Sequence, residues 1–252
     1  PTTRPTHFRP MIPSRDVCVV VPTLNEVGTI KNLCLGIYEV IPECTILIVD
    51  DGSTDGTLTE INYLTNNDYN LKVVLRPKRL GIGSAHKEGI RNAVELGFKI
   101  IVTMDADLTH DPKDIRRLLD ELDRTKIVIG SRFLPGGGLK DWALSRRVLT
   151  YFGHFLTRHF IGCTFDASTA FRAYHLDLEI AKIIQKTSSN SYSFFLESLA
   201  LFESSQIAIS EIPVVLPNRT YGHSKMRLRD PLISIYRLFE VRSMLRRGKN
   251  GN

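Results

Sequence analysis

The sequence predicts an α/β protein with a mostly parallel central sheet covered by helices on both faces. Short, nearly continuous runs of β-branched and other apolar residues alternate with segments of helical spacing through the first half of the chain. Such unbroken apolar strands are typical of parallel sheets that are buried on both faces. The notable polar clusters directly follow these strands, at the edge where open α/β sheets bind their ligands.

Each element has its own signal. The strands are rich in Val, Ile and Leu, and the helices repeat apolar residues three and four positions apart. In chain order we predict a strand over Val17 to Val21, a helix over Val27 to Ile41, a strand over Thr45 to Val49, a helix over Thr57 to Leu64, a strand over Leu71 to Leu75, a helix over Ser84 to Leu96 and a strand over Ile100 to Met104. The polar strand-end clusters are Pro22 to Glu26, Asp50 to Gly56 and Asp105 to Asp107.

Composition limits the class of protein. With 252 residues, 42% hydrophobic and 24% charged, the chain suits one large α/β domain or two small ones. No apolar stretch approaches the roughly 18 residues of a spanning helix, and the polar start is unlike a signal sequence. We therefore expect a cytosolic-side protein in which Pro1 marks processing or a boundary within a longer chain. The cysteines lack C-x-x-C pairing and are expected to be reduced packing residues: Cys18, Cys34, Cys44 and Cys163.

The net charge of +6 favours anionic partners, namely nucleotides, lipid headgroups or nucleic acid. Its sign alone does not choose among them. The excess of Lys and Arg lies in the C-terminal half of the chain. The sequence therefore combines a basic half with an acidic cluster near its middle.

The acidic cluster follows the predicted strand that ends at Met104. Side chains of an extended backbone alternate, so Asp105 and Asp107 would point the same way with Cα atoms about 7 Å apart. Mg²⁺ or Mn²⁺ prefers oxygen ligands and is usually held by one or two carboxylates together with substrate phosphates. The pair predicts a divalent metal and a phosphate-bearing ligand, and an acidic turn at a strand end is the alternative.

Other common ligand motifs do not occur in the expected places. Neither G-x-G-x-x-G nor G-x-x-x-x-G-K-[ST] follows the first strand. The Gly81 to Ser84 segment opens a helix, and it either offers backbone N–H groups to an anion or only begins that helix. The lack of G-x-S-x-G, H-E-x-x-H and a spaced Cys/His set disfavours serine acyl transfer and zinc hydrolysis.

Six ordered motifs resemble those of family 2 glycosyltransferases with the GT-A fold, and most closely those of dolichol-phosphate mannose synthases and related polyprenyl-phosphate glycosyltransferases. They are PTLNE, IVDDGSTDGT, RPKRLGIGSAHKEGI, MDADLTHDP, IGSRFLPGG and RTYGHSK. The resemblance implies an N-terminal extension over residues 1–16, a GT-A domain over 17–227, and a basic amphipathic helix and tail over 228–252. It also implies a nucleotide-sugar donor, a divalent metal on the two aspartates and inversion at the anomeric carbon.

The resemblance also assigns roles to individual residues. Around the nucleotide it places Pro22, Leu24 and Glu26 in the pocket, and Asp51, with Val49 beneath it, on the base or ribose. The segment that contains Asp51 also fits a tight turn in which Ser53 or Thr54 caps the next helix, and the two interpretations are compatible.

A second set of residues would bind metal and phosphate. An arginine is suited to phosphate because its guanidinium is a planar donor of several hydrogen bonds. Asp105, Ala106 and Asp107 would lie at the donor diphosphate and its metal, and Arg132 would bind phosphate. Arg146, in preference to Arg147, would be a further phosphate contact just before the helical stretch Val148 to Phe160. Arg219 and Lys225 would close over the donor and acceptor phosphates. A solvated basic loop is the alternative for the last two, and an exposed helix arginine for Arg146.

The metal motif departs from the family pattern at one position. Where the mannose synthases usually have a glutamine two residues after the second aspartate, this chain has Thr109. A hydroxyl is a weaker and shorter ligand than an amide carbonyl, so Thr109 or a water molecule would complete the metal site.

The acceptor determines the mechanism. Transfer to a hydroxyl benefits from a general base, and the Glu-Asp and Q-x-x-R-W motifs that supply one in saccharide-transferring relatives are absent from the sequence. A phosphate acceptor is already anionic and needs positive charge and alignment instead. The basic C-terminal half therefore favours a polyprenyl-phosphate acceptor.

Three further features remain open at this stage. Asp166 and Glu197 are near the implied acceptor region, where they would either take part directly in the chemistry or, as buried acids, pair with an arginine such as Arg172. The segment over residues 228–245 is a basic amphipathic helix that suits either a membrane surface or core packing.

The sequence as a whole predicts a peripheral enzyme of the cytosolic membrane face that transfers a hexose to a polyprenyl or dolichyl phosphate, with mannose from GDP-mannose preferred. A UDP-sugar transferase with a lipid or saccharide acceptor is the alternative of the same class. An inactive nucleotide- or nucleic-acid-binding scaffold is a remote alternative, and nucleic acid is not expected because aromatic and basic residues are not interleaved. A membrane-anchored partner or a transmembrane segment outside this sequence is also compatible with the resemblance.

Overall fold

The computed structural model describes residues 12–218 and 239–243. Strands and helices alternate as the sequence predicts. In chain order the elements are β1 (Val17–Thr23), α1 (Ile30–Val40), β2 (Thr45–Asp50), α2 (Thr57–Thr65), β3 (Leu71–Leu75), α3 (Ile82–Glu95), β4 (Ile100–Thr103), α4 (Asp114–Leu122), β5 (Ile127–Ser131), β6 (Gly138–Lys140), α5 (Leu144–Ile161), β7 (Arg172–His175), α6 (Leu178–Lys186), α7 (Ser193–Ser204), β8 (Ile209–Pro213) and β9 (Val215–Pro217). Arg219, Lys225 and the 228–252 segment, apart from residues 239–243, lie outside the described residues.

The central sheet has seven strands in the order β3-β2-β1-β4-β7-β5-β8. Its pairs are parallel except those of β7, which runs antiparallel to both β4 and β5. A small second sheet pairs β6 with β9. The fold class is therefore α/β with a mostly parallel sheet, as predicted.

Helices cover both faces of the sheet because its strands are apolar on both sides. One face of β1, with Val17, Val19 and Val21, packs in a cluster that includes α1, α2 and α4. The opposite face, with Cys18 and Val20, packs in a cluster that includes α3, α6 and α7. All four cysteines are buried and free, in agreement with a packing role.

Three helices begin at positions that differ from the predictions, among them α3, which begins at Ile82 rather than at Ser84. Residues 26–29 form a turn, in which the backbone N–H groups of Thr29 and Ile30 donate to the carbonyl of Glu26, so α1 begins at Ile30. The helix predicted from Val148 begins one turn earlier, at Leu144.

The described part of the C-terminal segment, residues 239–243, is helical and lies against α5. The Phe239 ring meets Phe160 edge to face at a centroid distance of 5.8 Å, and the guanidinium carbon of Arg242 lies 5.7 Å from the same ring centroid. Val241 is buried. In this stretch the segment packs on the protein. No helix among the residues that the structure describes has the length and apolar character needed to cross a membrane.

Candidate active site

Two cavities open at the carboxyl ends of the parallel strands and meet at the predicted acidic motif. The smaller, of about 70 Å³, lies over β1, β2 and the start of α3. The larger, of about 330 Å³, lies between the acidic motif and α5. Among the described residues, Asp105, Asp107 and Tyr192 line both cavities. These three side chains mark the junction of the site.

The acidic motif is a tight turn just beyond β4. Leu108 has a φ of 62°, a left-handed conformation that side-chain-bearing residues adopt at a cost. This conformation turns the chain back, so that both the backbone N–H and the hydroxyl of Thr109 donate to Asp107 Oδ1, at 3.1 and 2.6 Å. Asp107 is thereby buried and oriented, whereas the Asp105 side chain remains 29% exposed. Thr109 therefore orients Asp107, and it also lines the larger cavity itself.

His110 was not assigned a role from the sequence, although it lies three residues after Asp107. Its Nδ1 accepts a hydrogen bond of 3.1 Å from the backbone N–H of Asp105, and its ring stacks on Phe171 at a centroid distance of 5.0 Å. Because Nδ1 is the acceptor, the neutral ring carries its proton on Nε2. His110 fixes the backbone of the first aspartate.

The smaller cavity brings together most of the residues predicted around the nucleotide. Its lining includes Pro22, Leu24, Glu26, Asp51 and Ala106. Val49, which was predicted to lie beneath Asp51, is fully buried and belongs to the core cluster on the α3 face.

Asp51 is bound to the loop that leads into α3. Its carboxylate accepts hydrogen bonds from the backbone N–H groups of Leu80 and Gly81, at 2.9 and 3.1 Å, and its Oδ1 lies 3.3 Å from Arg76 Nη1. It is 6% exposed and lines the cavity. These contacts fix the part of the cavity wall that Asp51 forms.

The expectation that Ser53 or Thr54 caps α2 is wrong. Both residues instead bond to Asn25 in the loop after β1: the Ser53 hydroxyl accepts from the Asn25 N–H, and the Thr54 N–H donates to the Asn25 side chain, each at 2.8 Å. The N-cap of α2 is Gly56, at a φ of 100°. Ser53 and Thr54 thus bond the loop after β2 to the loop after β1. The two loops are neighbours because β1 and β2 are adjacent in the sheet.

The Gly81 to Ser84 segment opens α3, and three of its N–H groups are bonded within the protein, that of Gly81 to the Asp51 carboxylate. The N–H groups of Gly83 and Ser84 donate to the carbonyl of Asn190, at 3.0 and 3.3 Å. A Cβ on Gly81 would lie 2.3 Å from this same oxygen. The glycines therefore permit close packing of α3 against the loop before α7.

Arg132 and Asp166 form a buried bidentate ion pair in the wall of the larger cavity. Arg132 Nε and Nη2 donate to the Asp166 carboxylate at 2.7 and 2.6 Å, and the Arg132 N–H adds a third bond of 3.2 Å. Burial alone raises the pKa of Asp166, but the guanidinium and these hydrogen bonds outweigh it and hold the pKa below its ordinary value. The prediction that Asp166 pairs with an arginine is confirmed, but the predicted partner, Arg172, is wrong: the partner is Arg132.

Arg172 is fully buried and supports the floor of the larger cavity. It donates to the carbonyl oxygens of Thr169 and Phe195, at 3.0 and 2.9 Å. Glu197 does not pair with it either. The Glu197 carboxylate accepts from the N–H groups of Ser188 and Ser189, at 2.7 and 2.9 Å, and so shapes the loop before α7.

Helix α5 forms the outer wall of the larger cavity. Arg146 lines this cavity, and its guanidinium carbon stacks 3.9 Å from the ring centroid of Trp142, whereas Arg147 is exposed and is not in the lining. Leu149 and Phe152, each about half exposed, also line the cavity. The wall is thus cationic at one end and apolar along its length.

The residues at the junction suit a divalent metal. The described residues contain no group of three or more His, Cys, Asp or Glu side chains arranged to hold a metal ion by themselves. Asp105 and Asp107 supply two hard carboxylate ligands, and Mg²⁺ and Mn²⁺ sites commonly take their remaining oxygens from water and substrate phosphates. The donor set therefore fits a metal that binds together with a phosphate-bearing substrate.

The fold and site define the class of protein as an α/β enzyme of the GT-A type, with an acidic motif between two cavities. A family model described as "Glycosyl transferase family 2" matches residues 18–179. The chain belongs to this family, and it is a glycosyltransferase.

Curated relatives cover most of the chain. It is 33% identical over 213 residues to an undecaprenyl-phosphate mannosyltransferase of Micrococcus luteus, over 83% of this chain and 87% of that protein. It is 30% identical over 217 residues to a polyprenol monophosphomannose synthase of Mycolicibacterium smegmatis, over 85% and 82% of the two chains. A dolichol-phosphate mannosyltransferase of Saccharomyces cerevisiae is 30% identical over 222 residues, over 84% and 82%.

Solved structures confirm the fold. Glucosyl-3-phosphoglycerate synthase from Mycobacterium tuberculosis, in complex with phosphoglyceric acid, superposes with a TM-score of 0.64 at 19% identity, over 90% of this chain and 80% of that one. A complex of the same enzyme with Mn²⁺, UDP and glucosyl-3-phosphoglycerate gives a TM-score of 0.63 at 20% identity, with the same coverage.

Proposed function

We propose that this glycosyltransferase moves a hexose, with mannose from GDP-mannose preferred, to the phosphate of a polyprenyl or dolichyl lipid with inversion at the anomeric carbon. The observation that carries the proposal is the meeting of two unlike cavities at one acidic motif. The smaller is lined by strand-end loops, and the larger by an arginine and apolar side chains. The names of the three curated relatives, all mannose transferases or synthases for polyprenyl lipids, support the same substrates.

The donor would occupy the smaller cavity and extend to the junction. Pro22, Leu24 and Glu26 would line the nucleotide, and Asp51 would border its base or ribose while fixing the loop before α3. Val49 would support this wall from the core. Ala106, between the two aspartates, would let the diphosphate approach the backbone, since its side chain is small.

Asp105 and Asp107 would hold Mg²⁺ or Mn²⁺ against the donor diphosphate. When bound, such an ion supplies positive charge that stabilises the departing diphosphate. Thr109 would keep the Asp107 carboxylate aimed at this position through its 2.6 Å hydrogen bond, or contribute its hydroxyl oxygen as a further ligand.

The acceptor phosphate would enter from the larger cavity. Arg146 would bind it, and Leu149 and Phe152 would lie along the first isoprenoid units. Among the described residues of this lining, the acidic side chains are Asp105 and Asp107. A phosphate acceptor suits such a lining, because its oxygen attacks without transferring a proton to a general base.

Arg132 would contribute positive charge from the cavity wall. Its Nε and Nη2 are bonded to Asp166, so a phosphate would be contacted from its remaining edge. Arg219 and Lys225 would close over the two phosphates and stabilise charge in the transition state.

We also propose that the enzyme lies on the cytosolic face of a membrane. Apolar side chains of α5 are exposed to an unusual extent, among them Leu144 at 74%, Val148 at 59% and Phe155 at 51%. A helix with such an apolar face and neighbouring arginines suits the interface of an anionic bilayer, where a polyprenyl acceptor resides.

The proposed function is tested with radiolabelled GDP-mannose and UDP-glucose, each supplied with polyprenyl phosphate or with a free glycan. We expect label from GDP-mannose to enter the organic phase only with the lipid, Mg²⁺ or Mn²⁺ to be required, and EDTA to abolish transfer. Transfer from UDP-glucose instead of GDP-mannose would refute GDP-mannose as the donor. Labelled product confined to the aqueous phase would refute a lipid acceptor.

The metal assignment is tested by Asp107→Asn, with Asp120→Asn on the exposed side of α4 as the matched control. Loss of a preorganised charge at a leaving group costs roughly a hundredfold or more in rate. We expect such a loss in Asp107→Asn and wild-type rates in Asp120→Asn. Unchanged metal-dependent nucleotide binding in Asp107→Asn would indicate that the motif is only an acidic turn.

Membrane contact is tested by flotation with vesicles that contain anionic lipid. We expect Leu144→Gln combined with Val148→Gln to reduce co-flotation, whereas Tyr63→Gln on the distant α2 leaves it unchanged. Equal flotation of both variants would exclude α5 as the contact.

A further inference from the structure

Tyr192 is the aromatic residue at the junction of the two cavities. With Asp105 and Asp107 it is shared by both linings among the described residues, and its side chain is half-buried. In a direct transfer the sugar lies between the donor diphosphate and the attacking phosphate. The sugar must therefore occupy the space that Tyr192 borders.

The loop that leads into Tyr192 is held at two points. The preceding Asn190 carbonyl accepts the N–H groups of Gly83 and Ser84 from α3, at 3.0 and 3.3 Å. Earlier in the same loop, the N–H groups of Ser188 and Ser189 donate to the Glu197 carboxylate, at 2.7 and 2.9 Å. The Tyr192 ring is also partly packed against the core cluster on this face. A ring held in this way is suited to distinguish the shapes of small ligands.

We propose that Tyr192 contacts the transferred sugar and determines which hexose is accepted. An aromatic ring offers an apolar face to the C–H groups of a hexose and a hydroxyl at its edge. Epimers present different faces to a fixed ring, so the contact discriminates between them. This inference rests on the proposed function, because it takes the ligand of the junction to be the sugar of a nucleotide-sugar donor.

The test compares Tyr192→Leu, which removes the ring, with Tyr192→Phe, which keeps it. A contact of this kind is worth about 0.5–1.5 kcal/mol, or roughly a two- to tenfold change in rate. We expect Tyr192→Leu to lower kcat/KM for GDP-mannose roughly tenfold and to reduce its preference over GDP-glucose. The ring-retaining Tyr192→Phe is expected to keep the preference, and Tyr63→Leu on the distant α2 is the matched control.

A binding measurement separates a sugar contact from a general structural role. Calorimetry with Mn²⁺ measures the affinities of GDP and GDP-mannose for wild type and Tyr192→Leu. We expect the affinity for GDP to be unchanged and the additional affinity that the sugar confers to be lost. An equal loss for both ligands, or an unchanged preference between the two sugars, would overturn the proposal.

The same measurement distinguishes failure of this inference from failure of the proposed function, since it requires no acceptor. If wild type binds neither GDP ligand, the donor assignment fails, and the titrations are repeated with UDP and UDP-glucose. Loss of the sugar-dependent affinity there would still support the role of Tyr192. If Tyr192→Leu lacks a cooperative thermal transition, Tyr192→Met replaces it, because an unbranched side chain fills the space with less strain.

Discussion

His86 gives a prediction about stability that can be worked from the structure. It lies on α3 with 1% exposure, stacked on Phe194 at a centroid distance of 6.0 Å and edge-on to Phe195 at 5.0 Å. Burial, with smaller contributions from the charges of Arg172 and His110, lowers its pKa from 6.5 to about 3. The folded protein therefore holds this imidazole neutral at pH values where the unfolded chain protonates it.

The sign and size of the effect follow from proton linkage. The folded pKa lies below the unfolded one, so this contribution is fully present above pH 6.5 and is lost as the pH falls toward 3. Each pH unit in this window costs about 1.4 kcal/mol for one group. Between pH 7.5 and 4.5 His86 should therefore lower the free energy of unfolding by about 3 kcal/mol.

The assay is urea unfolding of wild type and His86→Leu at pH 7.5, 6.5 and 4.5. Leucine has a similar volume and does not titrate, so the variant should lose about 3 kcal/mol less than wild type between pH 7.5 and 4.5. Acidic side chains that titrate in the same pH range contribute equally to the free energy of unfolding of both proteins, so their contribution cancels when the two are compared. The exposed His175→Gln variant should follow wild type. Parallel pH profiles for wild type and His86→Leu would refute the reasoning.

Three further predictions concern the walls of the site. Asp166→Ala leaves the buried guanidinium of Arg132 without its carboxylate, so it should lower the free energy of unfolding, measured with urea, by about 3–5 kcal/mol. A decrease below 1 kcal/mol would contradict the importance of this ion pair for stability. Gly83→Ala places a Cβ 2.6 Å from atoms of the α7 region, so it should lower the free energy of unfolding in urea by about 1–3 kcal/mol. A variant as stable as wild type would show that the neighbouring atoms move aside at little cost. Arg146→Ala should raise KM for polyprenyl phosphate roughly tenfold or more in a steady-state assay, because it removes a charge-assisted phosphate contact. The control Arg147→Ala, at an exposed position, should leave KM unchanged. Equal effects of the two variants on KM would contradict the assignment of Arg146.

Local patterns predicted the elements well for a physical reason. A strand buried on both faces must be apolar at consecutive positions, and β1 and β2 show this directly in their sequences. Helix starts were less predictable because they depend on turns. The Glu26 turn delays α1, and the α2 cap is a left-handed Gly56 rather than a hydroxyl side chain.

The partners of charged groups were predicted poorly. The sequence indicated that Asp166 is buried and paired, but Arg132 lies 34 positions away and only the sheet brings the two together. Arg172, which is closer in sequence, is satisfied by carbonyl oxygens instead. A buried charge takes whichever group the fold places beside it, and local spacing contains little information about that choice.

By itself the sequence determined the order of strands and helices from β1 to β4, the acidic motif beyond β4 and the family resemblance, because each depends on residues that are near one another in the chain. Only the tertiary structure decided that α5 faces this motif, that Asn190 closes on α3, and that Tyr192 stands with Asp105 and Asp107 where two cavities meet. These contacts join residues from about 40 to more than 100 positions apart, and they follow from the packing of helices on the sheet rather than from any local pattern.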